Sequence, residues 1–435
     1  MRLRRTIPSI LSVLALGAGL GVVSGCGSGG SPSATSSADS HGPIKIWYSN
    51  NAQEIAWGEQ MVAAWNKAHP SEKVTGQQIP TSTASEDVIG AAITAGTEPC
   101  LIFNTSPASV PQFAQEGGLV PLNDFPGAVS YIQQRGGPAA QQYKASNGDY
   151  YQMPWKSNPV MIFYNKKIFQ KAGISTTNPP LKTYAQFLAT AKKVVSSHAA
   201  KYAIYPAPTS EFFQSWYDFY PLFAAATGGT ELVANGKAQF DSPAGAQVAS
   251  FWRTIYAEGL AGKDSYNGDP FADGTAAMAI VGPWAISTYN KVDWGEVPVP
   301  TPQGITQDQT HTFSDAKNIG LYASCQNRGT AWDVIKFATS EQEDGKLLQM
   351  TGQMPMRANL QQAYASYFAK NPAYVNFASE ASRTIEVPQI AQSISIWQAF
   401  RNNWEKYIIS GQGTAQQFLS TTDTAVNSLA SKSSS

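Results

Sequence analysis

Short apolar runs alternate with amphipathic stretches between residues 44 and 103. The apolar runs are residues 44–48, 74–79 and 100–103. The stretches between them carry apolar side chains at helical spacing, and the second one ends at Gly96. A β-α-β-α-β order predicts an α/β fold with a parallel sheet covered by helices on both faces. Ligands of such folds bind beyond the carboxyl ends of the strands, so the loops at 47–51 and 104–107 are predicted to face a site.

The N-terminus has the layout of a secretory signal. Three arginines precede an apolar run over residues 7–23, and small residues then lead to Cys26. Residues 23–26 (Val-Ser-Gly-Cys) resemble a bacterial lipobox, which implies a signal peptide over residues 1–25 and an anchor to the outer face of the cell membrane through lipidated Cys26. Residues 26–43 comprise this cysteine and a stretch with almost no large apolar side chains, which predicts a flexible tether.

Length and charge limit the architecture and the partners of the remaining chain. About 390 residues follow the tether, more than one hydrophobic core usually spans, so two lobes are predicted. The full chain has 30 basic and 30 acidic residues, and loss of the three leader arginines gives a formal charge of −3. This balance indicates no nucleic acid or other polyanion as a partner.

Two cysteines remain once Cys26 is lipidated. Cys100 and Cys325 form an even pair in a protein exported to an oxidising compartment, which favours a disulfide. Two separate buried thiols are the alternative, and the residues alone leave this choice open.

Five phrases, in one order along the chain, resemble the extracellular solute-binding proteins of carbohydrate ABC importers, in particular the maltodextrin-binding type. The most specific phrase is residues 271–284, FADGTAAMAIVGPW, which Trp294-Gly295 follows. The others are residues 98–103 with 113–119, 154–155 with 163–169, 179–180 with 183–187, and 331–337 with 352–357. The resemblance covers nearly all of residues 44–420.

This resemblance implies the type II periplasmic-binding-protein fold, in which two doubly wound lobes surround a central cleft and close over a sugar. The implied lobes are residues 44–156 with 313–357, and residues 157–312 with 358–435. The implied crossovers lie near Lys156, Thr312 and Arg357. The strand at 319–324 would lie antiparallel beside the strand that starts at Cys100, which brings Cys325 close to Cys100 and implies a disulfide between them.

The same resemblance implies a receptor that captures a sugar or oligosaccharide and delivers it to the permease subunits of an ABC importer. Such a receptor performs no chemistry and needs no cofactor or metal, and it is expected to be a monomer. The chain has no phosphate-binding Gly-x-x-x-x-Gly-Lys loop, so the ATPase would be a separate protein.

Trp284 is the leading candidate for ligand contact. A sugar presents apolar C–H faces and a rim of hydroxyls, so its site combines aromatic rings with planar polar groups. Trp284 matches the stacking tryptophan of the maltodextrin-binding type, and Gly282-Pro283 would fix its loop. A core tryptophan packed under the cleft is the alternative.

Two further cleft positions of the family have aromatic candidates in this chain. In the stretch 210–229, either Trp216 or Tyr217 would stack on the ligand, although packing in a helical core explains both equally well. Trp397 matches a third aromatic, but it also falls on the apolar stripe of a helix. Three other tryptophans lie in comparable stripes and are assigned to the core: Trp65, Trp252 and Trp332.

Four polar residues complete the predicted site. Asn104 and Asn158 stand where the family type has a Trp and a Glu in the cleft, and an amide can both donate to and accept from a hydroxyl; turn stabilisation is the alternative. Arg357, beside a crossover, would bind a hydroxyl pair or a charged substituent. Asp273 either contacts the ligand or caps a helix predicted to begin near Gly274.

Two other functions are weighed against the sugar receptor. A secreted carbohydrate-active enzyme would need two carboxylates about 5 to 9.5 Å apart, whereas the implied cleft residues are aromatic or amide and the four histidines show no zinc or triad spacing. A receptor for a glycerophosphodiester or another phosphate-bearing solute would need cationic side chains in the cleft, for which Arg357 and Arg401 are the candidates.

Overall fold

The computed structural model describes residues 37–49, 51–80, 85–206 and 214–433, and for residues 37, 214–216 and 433 it describes the backbone alone. The predictions for the leader, for Cys26 and for most of the tether lie outside the described residues. Within the described part, no helix is both long enough and apolar enough to cross a bilayer.

The strands are β1 (Ile44–Trp47), β2 (Val74–Gln77), β3 (Leu101–Thr105), β4 (Met153–Lys156), β5 (Met161–Asn165), β6 (Tyr202–Ile204), β7 (Val233–Ala234), β8 (Lys237–Ala238), β9 (Ala276–Val281), β10 (Trp294–Val297), β11 (Thr312–Phe313), β12 (Lys317–Leu321) and β13 (Thr384–Ile385). The helices are α1 (Ala52–Ala68), α2 (Ser85–Ala95), α3 (Val110–Gln115), α4 (Ala128–Gly136), α5 (Lys166–Lys171), α6 (Tyr184–Ser196), α7 (Gln214–Thr227), α8 (Pro243–Ala257), α9 (Arg328–Ala338), α10 (Glu341–Thr351), α11 (Leu360–Ala363), α12 (Ala365–Lys370), α13 (Val375–Glu380), α14 (Ser393–Asn403) and α15 (Ala415–Ala430).

Lobe 1 is built on a five-stranded sheet with the order β2-β1-β3-β12-β4. β1 is parallel to β2 and β3, which confirms the parallel sheet predicted from the alternation of residues 44–103. β12 comes from the second half of the chain and lies antiparallel to β3 and β4. The Asn51 side chain accepts hydrogen bonds from the backbone of Gln53 and Glu54, so α1 begins close to the carboxyl end of β1.

Lobe 2 is built on a four-stranded sheet with the order β10-β5-β9-β6. β6 is parallel to β9, and β5 is antiparallel to β9 and β10. Each lobe has its own apolar core, and the three tryptophans assigned to the core, Trp65, Trp252 and Trp332, are buried as predicted. The two-lobed α/β architecture is therefore confirmed.

The segments that connect the lobes lie side by side. Lys156 pairs with Pro355, and Pro159 pairs with Ser314, through isolated backbone bridges. β11 pairs in parallel with β13 next to them. The lobe boundaries given above stay a prediction, but the segments that would act as the hinge form one contiguous structure.

A disulfide joins the two halves of the lobe 1 sheet. Cys100 directly precedes β3 and Cys325 lies beyond the end of the neighbouring antiparallel strand β12. Their sulfurs are bonded and their Cα atoms are 4.5 Å apart. The predicted pairing is confirmed, and the alternative of two separate thiols is wrong.

Glu380 is the last residue of α13, and its carboxyl group is buried without a hydrogen-bond partner in the described part of the chain. Its side chain is fully buried, and neither carboxylate oxygen has a hydrogen-bond partner within the described residues. Burial raises the pKa of Glu380 to about 8, against the attraction of Arg383. The native protein therefore holds a proton on Glu380 that the unfolded chain releases above about pH 4.5.

This proton makes a pH-dependent contribution to the free energy of unfolding. The contribution is complete below about pH 4.5 and is lost as the pH rises through about 8, by at most ~1.4 kcal/mol per pH unit. We expect Glu380→Gln to flatten the fall in melting temperature between about pH 5 and 8. Glu116→Gln, at an exposed control position, should keep the wild-type slope. Equal slopes for the wild type and Glu380→Gln would contradict the burial of an unpaired carboxyl group.

Candidate ligand-binding site

Strand β9 ends at Val281 and leads into the turn that presents Trp284. Gly282 precedes this turn, which spans Pro283–Ala285. A Cβ atom at Gly282 would lie 2.0 Å from the indole ring, so only glycine lets the ring fold back over the backbone. The ring is half-buried. Trp284 is therefore not a sealed core residue, and the Gly-Pro pair fixes its loop as the sequence suggests.

Trp284 lines a cavity of about 360 Å³ beside β9. Tyr217 meets Trp284 edge to face, with the ring centroids 6.2 Å apart, and Tyr205 lines the same cavity. The charged residues of the lining are Asp269 and Asp315. The cavity thus combines several aromatic rings with a small number of carboxylates, the composition typical of a site for a small polar ligand.

Asp269 and Asp315 differ in the protein groups to which they are hydrogen-bonded. Asp269 accepts hydrogen bonds from the backbone NH groups of Phe271 and Ala272, at 2.9 and 3.0 Å, and so stabilises the turn before β9. Asp315 lies between β11 and β12, and two hydrogen bonds of 3.2 Å join its backbone to Asn158. Asp315 is therefore the lining carboxylate that does not stabilise the turn before β9.

Asp315 forms a polar centre with Lys317 and Tyr217. Its carboxylate pairs with the Lys317 ammonium and accepts a hydrogen bond from the Tyr217 hydroxyl. Burial alone would lower the pKa of Lys317, but the Asp315 carboxylate raises it. Burial, followed by Asp315, raises the pKa of Tyr217 well above its usual range. At neutral pH the centre therefore contains an ammonium and a neutral phenol beside the Asp315 side chain.

Glu86 approaches this centre from lobe 1. It lies in the first turn of α2 and interacts electrostatically with Lys317 and Asp315. Burial raises the pKa of Glu86; Lys317 opposes the rise and Asp315 adds to it. Part of the side chain nevertheless stays accessible to water.

Glu386 lies beside the same centre, directly after β13. Its side chain is buried among the Tyr143 and Ser314 hydroxyls. Burial raises the pKa of Glu386 to about 8, and the Asp315 charge adds to the rise. At neutral pH this carboxyl group is therefore mostly protonated.

Hydrogen bonds join the lobes across the cleft. The Ser287 hydroxyl of lobe 2 donates to Gln53 Oε1 of lobe 1 at 3.1 Å, and Gln152 Nε2 donates to Gln389 Oε1 at 3.2 Å. These contacts hold the two lobes against each other. In this arrangement Glu86 of lobe 1 acts electrostatically on Tyr217 of lobe 2.

The structure brings some of the predicted site residues together. Tyr217 and Trp284 line the cavity, whereas the side chain of Trp216 lies outside the described residues. Asn104 lies at the carboxyl end of β3, where the pairing with β12 shifts register, and it has a φ of 65°. Its buried Oδ1 has no hydrogen-bond partner in the described part of the chain. Such bulges occur next to binding sites, so Asn104 stays a candidate.

Protein groups occupy the side chain of Asn158. Its amide donates to the carbonyl of Asp315 and to Gln353 Oε1, at 3.2 and 3.1 Å, and accepts from the backbone NH of Met354 at 3.3 Å. The side chain is fully buried. Asn158 thus joins the segments that connect the lobes, and the structure does not support ligand contact by it.

Arg357 is also occupied by protein groups. Its Nε lies 2.7 Å from Asp344, a fully buried carboxylate that Arg135 also contacts at 2.8 Å. Its Nη2 donates to the carbonyl of Thr339 at 3.0 Å. The guanidinium therefore neutralises Asp344, and the prediction that Arg357 binds ligand is not supported.

Trp397 and Asp273 lie elsewhere as well. Trp397 is buried in the core of lobe 2, on α14. Asp273 is exposed, accepts from the backbone NH of Thr275 at 3.1 Å and contacts the Tyr266 hydroxyl. The prediction of a helix near Gly274 is wrong, because residues 276–281 form the central strand β9. Asp273 stabilises the turn before that strand.

One group of potential metal ligands occurs within the described residues, in lobe 1 near the N-terminus. His41 Nδ1 lies 3.4 Å from Glu72 and 3.9 Å from Asp333. The Thr330 hydroxyl donates to Glu72 at 3.0 Å, and Lys336 pairs with Asp333 at 2.8 Å. Protein partners therefore satisfy both carboxylates without an ion.

Comparison with known proteins gives the family. Residues 49–344 match the family model described as bacterial extracellular solute-binding protein. The chain belongs to this family. Its members bind solutes and do not transform them, so the protein is a solute-binding protein rather than an enzyme, and it acts outside the cytoplasm.

Individual relatives have low sequence identity to this chain, but the similarity extends over most of its length. The maltotriose-binding protein of Pyrococcus abyssi (strain GE5 / Orsay) is 24% identical over 367 residues, which cover 82% of this chain and 75% of that protein. The solved GacH receptor of Streptomyces glaucescens, studied unliganded and with acarbose, has a TM-score of 0.75 at 22% identity and covers 90% of this chain and 99% of its own. UgpB of Mycobacterium tuberculosis in complex with glycerophosphocholine has a TM-score of 0.76 at 18% identity, with coverage of 90% and 99%. These likenesses show the fold.

Proposed function

We propose that the protein is the substrate receptor of an ABC importer and that it binds a sugar or oligosaccharide between its lobes. The observation that carries this proposal is the half-buried Trp284 ring, which lines a cavity together with Tyr217 and Asp315. A ring of this kind can stack on the apolar face of a sugar, while the Asp315 carboxylate would accept hydrogen bonds from its hydroxyls.

Capture would proceed by closure of the lobes. Trp284 and Tyr217 belong to lobe 2, Glu86 belongs to lobe 1, and Asp315 lies in a connecting segment, so a ligand that contacts all of them favours the closed form. The permease subunits of the importer would recognise this form. We further propose that the receptor works as a monomer tethered to the membrane through lipidated Cys26.

A glycerophosphodiester is the second candidate, because the fold is shared with UgpB of Mycobacterium tuberculosis. The charges of the cavity lining favour a sugar over a glycerophosphodiester as the ligand. Asp269 and Asp315 are the charged residues of the cavity lining, and Asp315 already neutralises Lys317. A phosphate would therefore meet carboxylates in the lining where it needs cations, and the one nearby cation, Lys317, is already paired.

A thermal-shift panel tests the proposal. We expect at least one neutral or amino sugar, mono- to oligosaccharide, to raise the melting temperature, because a ligand at 100 times its Kd adds about 2.7 kcal/mol to the free energy of unfolding. Glycerophosphodiesters should give no shift. Stabilisation by glycerophosphodiesters alone would select the second candidate, and no stabilisation by any polyhydroxylated compound would contradict the proposed function.

A further inference from the structure

Tyr205 lines the cavity of about 360 Å³ together with Trp284. Tyr205 directly follows strand β6, and Trp284 follows strand β9 after the Gly-Pro turn. β6 and β9 are neighbouring parallel strands in which Ile204 pairs with Met278, so both aromatic residues lie beyond the carboxyl ends of these strands. Ligands of α/β folds bind at that edge of the sheet. The position of Tyr205 is therefore equivalent to that of Trp284.

The backbone at Gly262 leaves room for the Tyr205 ring. A Cβ atom at this position would lie 2.0 Å from the ring, closer than a Cβ atom can approach another atom. The φ of Gly262 lies outside the left-handed region, so the ring, and not the backbone conformation, requires a glycine here. Gly282 accommodates the Trp284 ring in the same way. Each of the two rings thus packs directly on a glycine.

Neighbouring groups fix the orientation of the Tyr205 ring. Its hydroxyl donates to the backbone carbonyl of Asp264 at 2.7 Å. The Tyr202 ring meets it edge to face with the centroids 5.1 Å apart, and the Tyr266 ring is tilted against it at 5.4 Å. Because the ring is held in place before a ligand arrives, contact with it costs little conformational entropy.

The ring is the part of Tyr205 that remains available to a ligand. A phenol has one proton to donate, and Tyr205 donates it to Asp264. The side chain is only partly buried, so packing in the core of lobe 2 does not account for it. An aromatic face of this kind is complementary to the C–H groups of a sugar rather than to its hydroxyls.

We propose that Tyr205 is a second stacking residue of the ligand site and that it acts through its ring, not through its hydroxyl. This inference rests on the proposed sugar receptor and adds a specificity-determining contact to it. A ligand that contacts both Trp284 and Tyr205 presents apolar C–H surface to two rings at the same edge of the lobe 2 sheet.

The test uses titration calorimetry with glucose, maltose, maltotriose, cellobiose, lactose and trehalose, and compares variants with the tightest binder of these six sugars. We expect Tyr205→Ala to weaken binding about tenfold. Tyr205→Phe keeps the ring and removes the hydrogen bond to Asp264, so its affinity should stay within about twofold of the wild type. Tyr374→Ala removes another partly buried tyrosine, outside the described lining of the cavity, and should leave the affinity unchanged.

Gly262→Ala distinguishes ring contact from a purely structural role of Tyr205. The added methyl group would displace the Tyr205 ring, so we expect a loss of affinity close to that of Tyr205→Ala. In the double variant the ring is absent, and Gly262→Ala should add no further loss. Additive losses would mean that the two residues act independently and would overturn the inference.

Two further results would overturn it and leave the sugar receptor intact. One is wild-type affinity in Tyr205→Ala, and the other is a loss in Tyr205→Phe as large as that in Tyr205→Ala. Absence of binding by the wild type to all six sugars, together with a negative thermal-shift panel, would instead overturn the proposed function and this inference with it.

Discussion

Trp284→Ala is expected to weaken ligand binding by about 2 kcal/mol, roughly 30-fold, while the melting temperature of the unliganded protein changes little. The half-buried ring lines the cavity and would supply the flat apolar surface on which the ligand stacks. Removal of a ring that contacts ligand costs affinity, whereas an incompletely buried ring contributes less to folding. Titration calorimetry with the best ligand of the thermal-shift panel measures the first effect, and thermal unfolding measures the second.

Trp397→Ala is the matched control, because it removes the same side chain from the same lobe. Trp397 is buried in the core of lobe 2, so its loss should cost about 3 to 5 kcal/mol of unfolding free energy. The folded fraction should bind ligand with near wild-type affinity. If Trp397→Ala reduced affinity and Trp284→Ala did not, the assignment of the two tryptophans would be reversed.

Removal of the disulfide should destabilise lobe 1 by about 2 to 5 kcal/mol. Cys100 and Cys325 are 225 positions apart, so the bond closes a loop that contains the strands of the lobe 2 sheet. Lobe 1 is assembled from distant segments, and the bond limits the freedom of these segments in the unfolded chain. We expect the double variant Cys100→Ala/Cys325→Ala to lower the melting temperature, as measured by calorimetry.

Ligand affinity provides the control for the disulfide prediction. Cys100 and Cys325 do not belong to the lining of the cavity, so the double variant should bind with unchanged affinity below its melting temperature. Two titratable thiols in the denatured, unreduced wild-type chain would contradict the bond itself. An unchanged melting temperature would contradict its role in lobe 1.

The sequence predicts the elements whose pattern is local. The alternation of residues 44–103 was sufficient for the parallel part of the lobe 1 sheet, since strand and helix periods differ. Gly282-Pro283 marks the turn at Trp284 because a side chain at 282 would collide with the ring. The family resemblance, rather than a local pattern, implied that β12 lies beside β3 and that Cys100 bonds to Cys325. No local pattern relates positions so far apart in the sequence.

The polar centre could not be predicted from local patterns, because its members come from separate parts of the chain. Glu86 is visible in the sequence as an acidic residue in the first turn of a helix, which is a common position for stabilising a helix. Asp315 and Lys317 directly follow the crossover predicted near Thr312, and their position beside a connecting segment was the signal available for finding them. Only the pairing of the lobes brings these groups together.

Two of the predicted ligand contacts lack support for a shared physical reason. Arg357 and Asn158 do lie at the connecting segments, as the resemblance implied, but buried partners already use their hydrogen-bonding groups. A sequence shows that a donor is present but not whether Asp344 or Gln353 will occupy it. Position near a hinge is therefore weaker evidence for ligand contact than position at the end of a strand such as β9.

The distance between the lobes is the most direct test of the central claim, that the ligand is held between them. Ala56→Cys on α1 and Lys291→Cys beyond Ser287 place probes on exposed positions of elements that the Gln53–Ser287 hydrogen bond joins. We predict that the distance between the two probes shortens on addition of the best-binding sugar, with a midpoint equal to the calorimetric Kd. A saturating sugar that leaves this distance unchanged would contradict the account.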